Sequence, residues 1–385
     1  MTAPARLRTV GTWSGQDVDA EAVQSQLTKL WRSAGEHALQ SGVPAAARTN
    51  VLTLVVYTET EAAASRVLDA VGALAEHHPS RTILVRAEPG ADAPSLAAEV
   101  VTRCRIDRPQ VCFEQIVLHA RGSSVEQVSS AVASLLLRDL ATYLWWPEDI
   151  PAHSELLHRL VALCDGVIVD SASFTTPAVA LPALLALLRQ QQSGAVADLQ
   201  WARLSGWRDI TAQFFDGPAT RGYLNGITAL EVSVRTGDRP GLPGAGLLYT
   251  AWLAGCLHWQ LETGEFSATA STGEFTLRAG NRPVTIRLRA VSHDETAGEQ
   301  ISAIALRATI ADKAADFAIH CAALDQVTTR VTHAGSVAVE RTMRLPAPTD
   351  STALAQLLAY FQRDPVYEAS LRVLSDWLSS GTGAA

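Results

Sequence analysis

NVLTLVVY, residues 50–57, is apolar at every position except Asn50 and Thr53, with no alternation to separate one face from the other. A strand of that kind is covered on both sides, as in a parallel sheet lying between layers of helices. Working outward, EAAASRVLDAVGALAE (61–76) carries helical spacing, and RTILVR (81–86) and QIVLHA (115–120) read as further strands. A helix over 125–137, a strand over 141–146 ending at Pro147, a helix over 153–163, a strand over 166–170 and a helix over 178–188 continue the alternation. Upstream, Val23, Leu27, Leu30, Trp31, Ala34 and Ala38 recur at three and four, the stripe of an amphipathic helix started by Asp17 or Asp19. Strands alternating with helices at this spacing predict a doubly wound α/β domain over residues 1–220, its sheet mixed or mostly parallel.

Beyond that point the period changes. Leu230, Val232 and Val234 alternate with Glu231, Ser233 and Arg235; Val284, Ile286 and Leu288 with Thr285, Arg287 and Arg289; Ile304 and Leu306 with Ala305 and Arg307. Period two with one polar face predicts an antiparallel sheet half open to solvent. Further strand-like runs lie near 275–277 and 337–344, and a helix over 247–261 is placed to cover the apolar face. A stripe of Leu354, Leu357, Leu358 and Phe361, then Asp364 and Pro365 as cap and first turn of a last helix, close the chain. The second domain, residues 221–385, is therefore expected to be α+β.

Composition narrows the function. The 385 residues are enough for two or three units of about 150 residues. With 48% apolar and 18% charged residues, the chain is globular and not disordered or collagen-like. A net charge of −8 repels polyphosphates and anionic membranes, so neither nucleic acid nor membrane is expected as a partner. The uncharged runs 171–188 and 240–261 are interrupted by proline and glycine and read as buried helices of a soluble protein. Five cysteines with no CxxC pair fit neither a disulfide framework nor a zinc site, which predicts reduced, mostly buried thiols and a cytoplasmic location, with a redox switch using two of them as the alternative. Of the 31 basic residues only Lys29 and Lys313 are lysines, so positive charge is presented by arginine, the residue suited to planar, bidentate contacts.

No GxGxxG follows a strand, and no P-loop, HExxH or GxSxG occurs, so no cofactor or metal is called for and no catalytic residue is assigned. Two places suit an anion. GDRPGLPGAG (237–246), opening on Gly237 and closing on Gly246, precedes a helix whose N-terminus could offer backbone N–H groups. Asp170 and Ser171 stand at the C-terminal end of a strand, where α/β sheets bind ligands. Both have a plainer reading, as a connection and as a capping turn.

The aromatic and arginine residues carry more. DLQWARLSGWRDITAQFFD (198–216) puts Leu204, Trp207, Phe214 and Phe215 on one half of a helical wheel, with Trp201 and Arg208 at its edge and Arg203 away from it. Gly206 inside it costs about 1 kcal/mol relative to alanine, which points to a kink or a close approach. Trp145 and Trp146, adjacent in a strand, face opposite sides, so each needs its own cover. Tryptophan and arginine are enriched at interfaces, and internal packing competes with that reading.

LLLRDLATYLWWPEDIP (135–151), CDGVIVDSASF (164–174) and ADLQWARLSGWRDITAQFFD (197–216) resemble the signature segments of the glucose-6-phosphate dehydrogenase assembly protein family, OpcA. RTNVLTLVVYT (48–58), HPSRTILV (78–85) and QRDPVYEASL (362–371) agree with it, so the resemblance runs nearly the length of the chain. It implies a non-enzymatic partner of glucose-6-phosphate dehydrogenase that favours the active oligomer of that enzyme, supporting NADPH production in the oxidative pentose phosphate pathway. The residues marked for partner binding, or for the fold of the family, are Trp145, Trp146, Asp170, Ser171, Trp201, Arg203, Trp207 and Arg208. A second candidate surface is the sheet face of Arg235, Arg287, Arg289 and Arg307. The rival reading is an enzyme or sensor of sugar phosphates, with its anion site at Asp170 and Ser171 or at the 237–246 loop.

Overall fold

The computed structural model describes residues 7–40, 47–48, 50–75, 78–105, 111–175, 177–190, 194–236, 241–263, 271–292, 299–323 and 325–381. In chain order the elements are β1 (Leu7–Gly15), α1 (Ala20–Gln40), β2 (Ala47–Arg48), β3 (Leu52–Thr58), α2 (Glu61–Leu74), β4 (Ser80–Glu88), β5 (Ser95–Arg105), β6 (Val111–Arg121), α3 (Ser124–Leu135), β7 (Thr142–Trp146), α4 (Glu155–Val161), β8 (Gly166–Val169), α5 (Pro177–Gln190), β9 (Ala195–Asp198), α6 (Leu199–Arg203) and α7 (Ser205–Gln213). There follow β10 (Ile227–Thr236), α8 (Gly244–Leu257), β11 (Gln260–Thr263), β12 (Thr272–Ala279), β13 (Arg282–Ser292), β14 (Gln300–Ile310), β15 (Lys313–Ala323), β16 (Gln326–His333), β17 (Ser336–Arg344), α9 (Asp350–Ala359) and α10 (Pro365–Gly381).

The first sheet runs β1-β5-β6-β4-β3-β7-β8-β9, with β2 beside β6. From β6 to β9 every pairing is parallel. Counting only those six parallel strands in chain order, their spatial order is 3-2-1-4-5-6, that of dinucleotide-binding folds. The order reverses between β3 and β7. Right-handed crossovers leaving in opposite directions from that point put α2 and α3 on opposite faces, which is why β3 is buried along its whole length. β1 and β5 extend the sheet as antiparallel strands, so it is mixed, as expected. Arg81 and Glu114, register partners on β4 and β6, form an ion pair at 2.9 Å with both side chains almost wholly buried. Trp31 and Asn50 also donate to that carboxylate, which compensates it for the water it has lost.

The second sheet runs β11-β12-β13-β10-β14-β15-β16-β17 and is antiparallel apart from the β10–β13 pair. On β10, Leu230, Val232 and Val234 are fully buried and Glu231, Ser233 and Arg235 are not. Helix α8, apolar on all sides, packs against β10, β14 and α10. It ends at Leu257 and not at 261, because His258 takes a left-handed conformation (φ 56°) and the chain turns into β11.

Two expectations need correction. A single cut after residue 220 does not describe the chain. One compact unit holds residues 1–170, 191–198 and 349–363; the other holds 171–190, 199–348 and 364–385. The physical reason is that α9 packs on α2, and Phe361 beyond it stacks on Tyr143 with ring centroids 4.4 Å apart. Gly166 makes room there: a Cβ at that position would lie 2.1 Å from the Phe361 ring. Reduced thiols throughout is the other. Cys104 and Cys112 are joined as a disulfide, because the β5–β6 register sets them directly opposite. Spacing of eight residues gave no motif to read; only the hairpin brings them together. Cys164, Cys256 and Cys321 are free.

Candidate functional site

In a sheet of the 3-2-1-4-5-6 order, ligands sit where the order reverses, outside the carboxyl ends of the strands. Here those are the ends of β3 and β7. A dinucleotide-binding protein carries a glycine-rich turn at the first of them, so that pyrophosphate can approach the N-terminus of the next helix. This chain has Tyr57-Thr58-Glu59-Thr60, without glycine. Thr60 caps α2 by accepting from Ala63 N–H at 3.2 Å. Glu148, just past β7, accepts from the Glu59 N–H at 2.8 Å and from the Thr60 hydroxyl at 2.5 Å. A carboxylate of the protein thus takes the contacts that a phosphate would make. Glu59 and Glu61 add negative charge at the same helix start, and the Tyr57 hydroxyl donates to Glu59 at 2.7 Å. Burial and Glu59 push the Tyr57 hydroxyl pKa upward. Cationic contact is already committed: Arg66 Nη1 lies 2.9 Å from Asp170 and 3.6 Å from Asp350, while Nη2 donates to the Pro147 carbonyl. These residues do not fit a nicotinamide dinucleotide, whose phosphates would meet carboxylates in place of N–H groups.

The other sequence-marked residues fall into three places. Trp145 and Trp146 are interior, 0% and 4% exposed. Trp146 stacks on Tyr57 with centroids 4.4 Å apart and donates to the Asp149 carbonyl; among the described residues the Trp145 Nε1–H has no hydrogen-bond partner. Asp170 is fully buried on Arg66, so it is a structural anion and not a free ligand. Ser171 opens a single 3-10 turn at the start of the other unit.

In that second unit the 198–216 stretch is two short helices, α6 and α7, separated at Leu204, and its first residue belongs to β9. Gly206, inside α7, answers to a close approach: a Cβ there would lie 2.4 Å from Leu345. Trp201 and Trp207 are 5% and 8% exposed. The Arg208 guanidinium lies 3.3 Å over the Trp201 ring, and Trp201 Nε1–H donates to Asp364 at 2.7 Å. Burial lowers the Arg208 pKa to about 10, opposed by Asp364 and Asp209. Asp364 also accepts from the N–H groups of Val366 and Tyr367, so it caps α10 as expected.

The arginine face of the second sheet is a row of cross-strand ion pairs. Arg287 meets Glu274 at 2.8 Å and Glu231 at 3.0 Å, and Arg307 meets Asp316 at 2.8 Å; these bonds raise both pKa values. Arg289 is exposed. Arg235 is set apart: it lines a cavity of about 210 Å³ together with Arg203, Trp207, Glu299, Gln300 and Cys321. Composition gave no sign of this cavity, which arises where the ends of β10, β14 and β15 meet α6 and residues 345–348. Of the 237–246 loop, residues 237–240 lie outside the described residues. At its end, Ala245 N–H donates to Glu299 at 2.6 Å, so the start of α8 is also satisfied by a carboxylate of the chain.

The class this defines is a two-unit protein with a dinucleotide-type sheet whose phosphate position is filled from within. Solved structures of similar fold include a 3-ketoreductase with NADP, KijD10 from Actinomadura kijaniata, at 15% identity and a TM-score of 0.52 over 86% of this chain and 98% of that one. The transcriptional regulator Gal80p from Kluyveromyces lactis is similar at 10% identity and a TM-score of 0.51, over 90% of this chain and 94% of that one. A reductase and a regulator share the fold, so fold alone does not decide the function.

The chain belongs to the OpcA family. Residues 71–186 match the family described as the glucose-6-phosphate dehydrogenase subunit N-terminal domain, and residues 194–371 match the corresponding C-terminal domain. Proteins provisionally named OxPP cycle protein OpcA are similar, at 27% identity in Nostoc punctiforme and 28% in Synechococcus elongatus. The matches cover 79% and 81% of this chain, and the chain spans 66% and 70% of the length of those relatives. No helix among the described residues is long and apolar enough to cross a membrane.

Proposed function

We infer that this chain is a non-enzymatic assembly factor that binds glucose-6-phosphate dehydrogenase and favours its active oligomer, supporting NADPH production in the oxidative pentose phosphate pathway. The observation that supports the non-enzymatic part is Glu148: it takes the Glu59 N–H and the Thr60 hydroxyl ahead of α2, and so sets negative charge where the phosphates of a hydride-carrying cofactor would approach. Family membership supplies the partner. The mechanism is linkage. A protein that binds the active form of an enzyme more tightly than the inactive form shifts the population by the ratio of those affinities, and about 3 kcal/mol of difference is more than a hundredfold. Trp201 and Trp207 act in this reading by fixing the surface around Arg203 and the α6–α7 turn, Trp145 and Trp146 by fixing the first unit, and the arginines of the second sheet are a further contact surface.

The test mixes the purified chain with glucose-6-phosphate dehydrogenase from the same organism. Size-exclusion chromatography and steady-state assay are expected to show a complex, a shift toward the larger enzyme oligomer, and a lower KM or a higher kcat. Neither a complex nor a kinetic change would remove the reading. The chain alone is expected to leave NADPH fluorescence unchanged on titration; turnover of a sugar phosphate by it would favour the rival enzyme.

A further inference from the structure

We propose that the cavity around Arg235 is a binding site for a small organic anion, with the Arg235 guanidinium as its anchor. Arg287, Arg307, Arg330 and Arg344 on this sheet each meet a carboxylate within 3.0 Å, and Arg289 is exposed to water. Arg235 is half-buried and has no ion pair or hydrogen bond among the described residues, and its charge acts on the Cys321 thiol. A guanidinium withdrawn from water without a counter-ion is unfavourable, and a ligand anion relieves it.

The rest of the wall suits such a ligand. Arg203, at the end of α6, brings a second guanidinium, whose Nη1 donates to Gln200 at 3.3 Å. Glu299 is the acid among the lining residues, and one of its oxygens is engaged by the Ala245 N–H. The lining holds two arginines against one glutamate, a formal excess of positive charge, and the cavity favours negative charge. The Gln300 amide and the Ser205 hydroxyl offer neutral polar contacts, and Trp207 and Ile301 an apolar wall. A volume of about 210 Å³ is the share of roughly seven water molecules, so the ligand is a compact metabolite with a phosphoryl or carboxylate head and an uncharged body. The site differs from both anion positions read from the sequence, the Asp170–Ser171 strand end and the 237–246 loop.

The experiment uses the full chain alone. Calorimetric titration is made with 3-phosphoglycerate, with inorganic phosphate and malate as arms that separate a phosphoryl from a carboxylate head, and with glycerol as the neutral control. Binding by at least one anion and none by glycerol is expected, with Arg235→Ala weakening it about tenfold or more. Arg235→Lys, which keeps the charge without the planar fork, is expected to lie between the two and guards against a misfolded alanine variant. Alkylation of Cys321, followed by peptide mass spectrometry, is expected to slow in the presence of the bound anion in the wild-type chain and not in Arg235→Ala. Absence of binding in every arm overturns the proposal, as does an Arg235→Ala chain that binds like the wild type. Because no dehydrogenase is present, either result leaves the assembly reading untouched.

Discussion

Trp201 shows how one side chain can be both a core residue and a polar anchor. Its ring is held by the Arg208 guanidinium at 3.3 Å and by Tyr367 at 5.3 Å between centroids, while its N–H reaches Asp364. Removing the ring leaves a cavity and an unpaired carboxylate oxygen, so Trp201→Ala is expected to cost about 3 to 5 kcal/mol in urea unfolding. Trp201→Phe keeps most of the volume and should cost about 1.5 to 3 kcal/mol. A Trp201→Phe chain as stable as the wild type would show that the hydrogen bond to Asp364 contributes nothing. The sequence marked this residue by composition and helical spacing, which report burial well. Those signals cannot say that the indole N–H meets a carboxylate 163 positions away, and they are equally blind to Glu148, whose role exists only because β3 and β7 are neighbours in space.

At the scale of elements, the strands that were legible are the ones buried on both faces. β3, β4, β6, β7 and β8 are largely apolar runs, and their reading needed only local pattern. β1 and β5 were not legible, because LRTVGTWSG and SLAAEVVTRCR mix polar and apolar residues at the antiparallel margin of the sheet. With β5 went the disulfide, since Cys104 and Cys112 become partners only once the hairpin is recognised. Closing a loop of eight residues removes chain entropy from the unfolded state worth about 2 to 3 kcal/mol. Reduction with a phosphine is expected to lower the stability of the first unit by that amount, read as a lower urea midpoint. A thiol count of five on the unreduced, denatured chain would rule the bridge out.

For the whole molecule, the free thiols set an alkaline limit. An exposed thiol ionises near 9.0, whereas burial, helped by Asp165, pushes Cys164 up to about 12, and burial raises Cys321 as well. Between those values the unfolded chain has released a proton that the folded chain retains, so stability falls as pH rises. Arg208 works in the opposite direction from about pH 10, where its folded form gives up a proton before the unfolded one does. The urea midpoint is therefore expected to decline from pH about 8.5 to about 10, and Cys164→Ser to flatten that decline. A midpoint that rises over this window would contradict the buried state of the thiol.

The carboxylate of Glu148 has one more consequence. A fold that waits for a nucleotide is stabilised in proportion to the logarithm of ligand concentration over its dissociation constant, so its folded population follows the supply of that ligand. Here the anion is part of the polypeptide and its effective supply never varies. The folded population of the first unit is then expected not to follow the supply of dinucleotide.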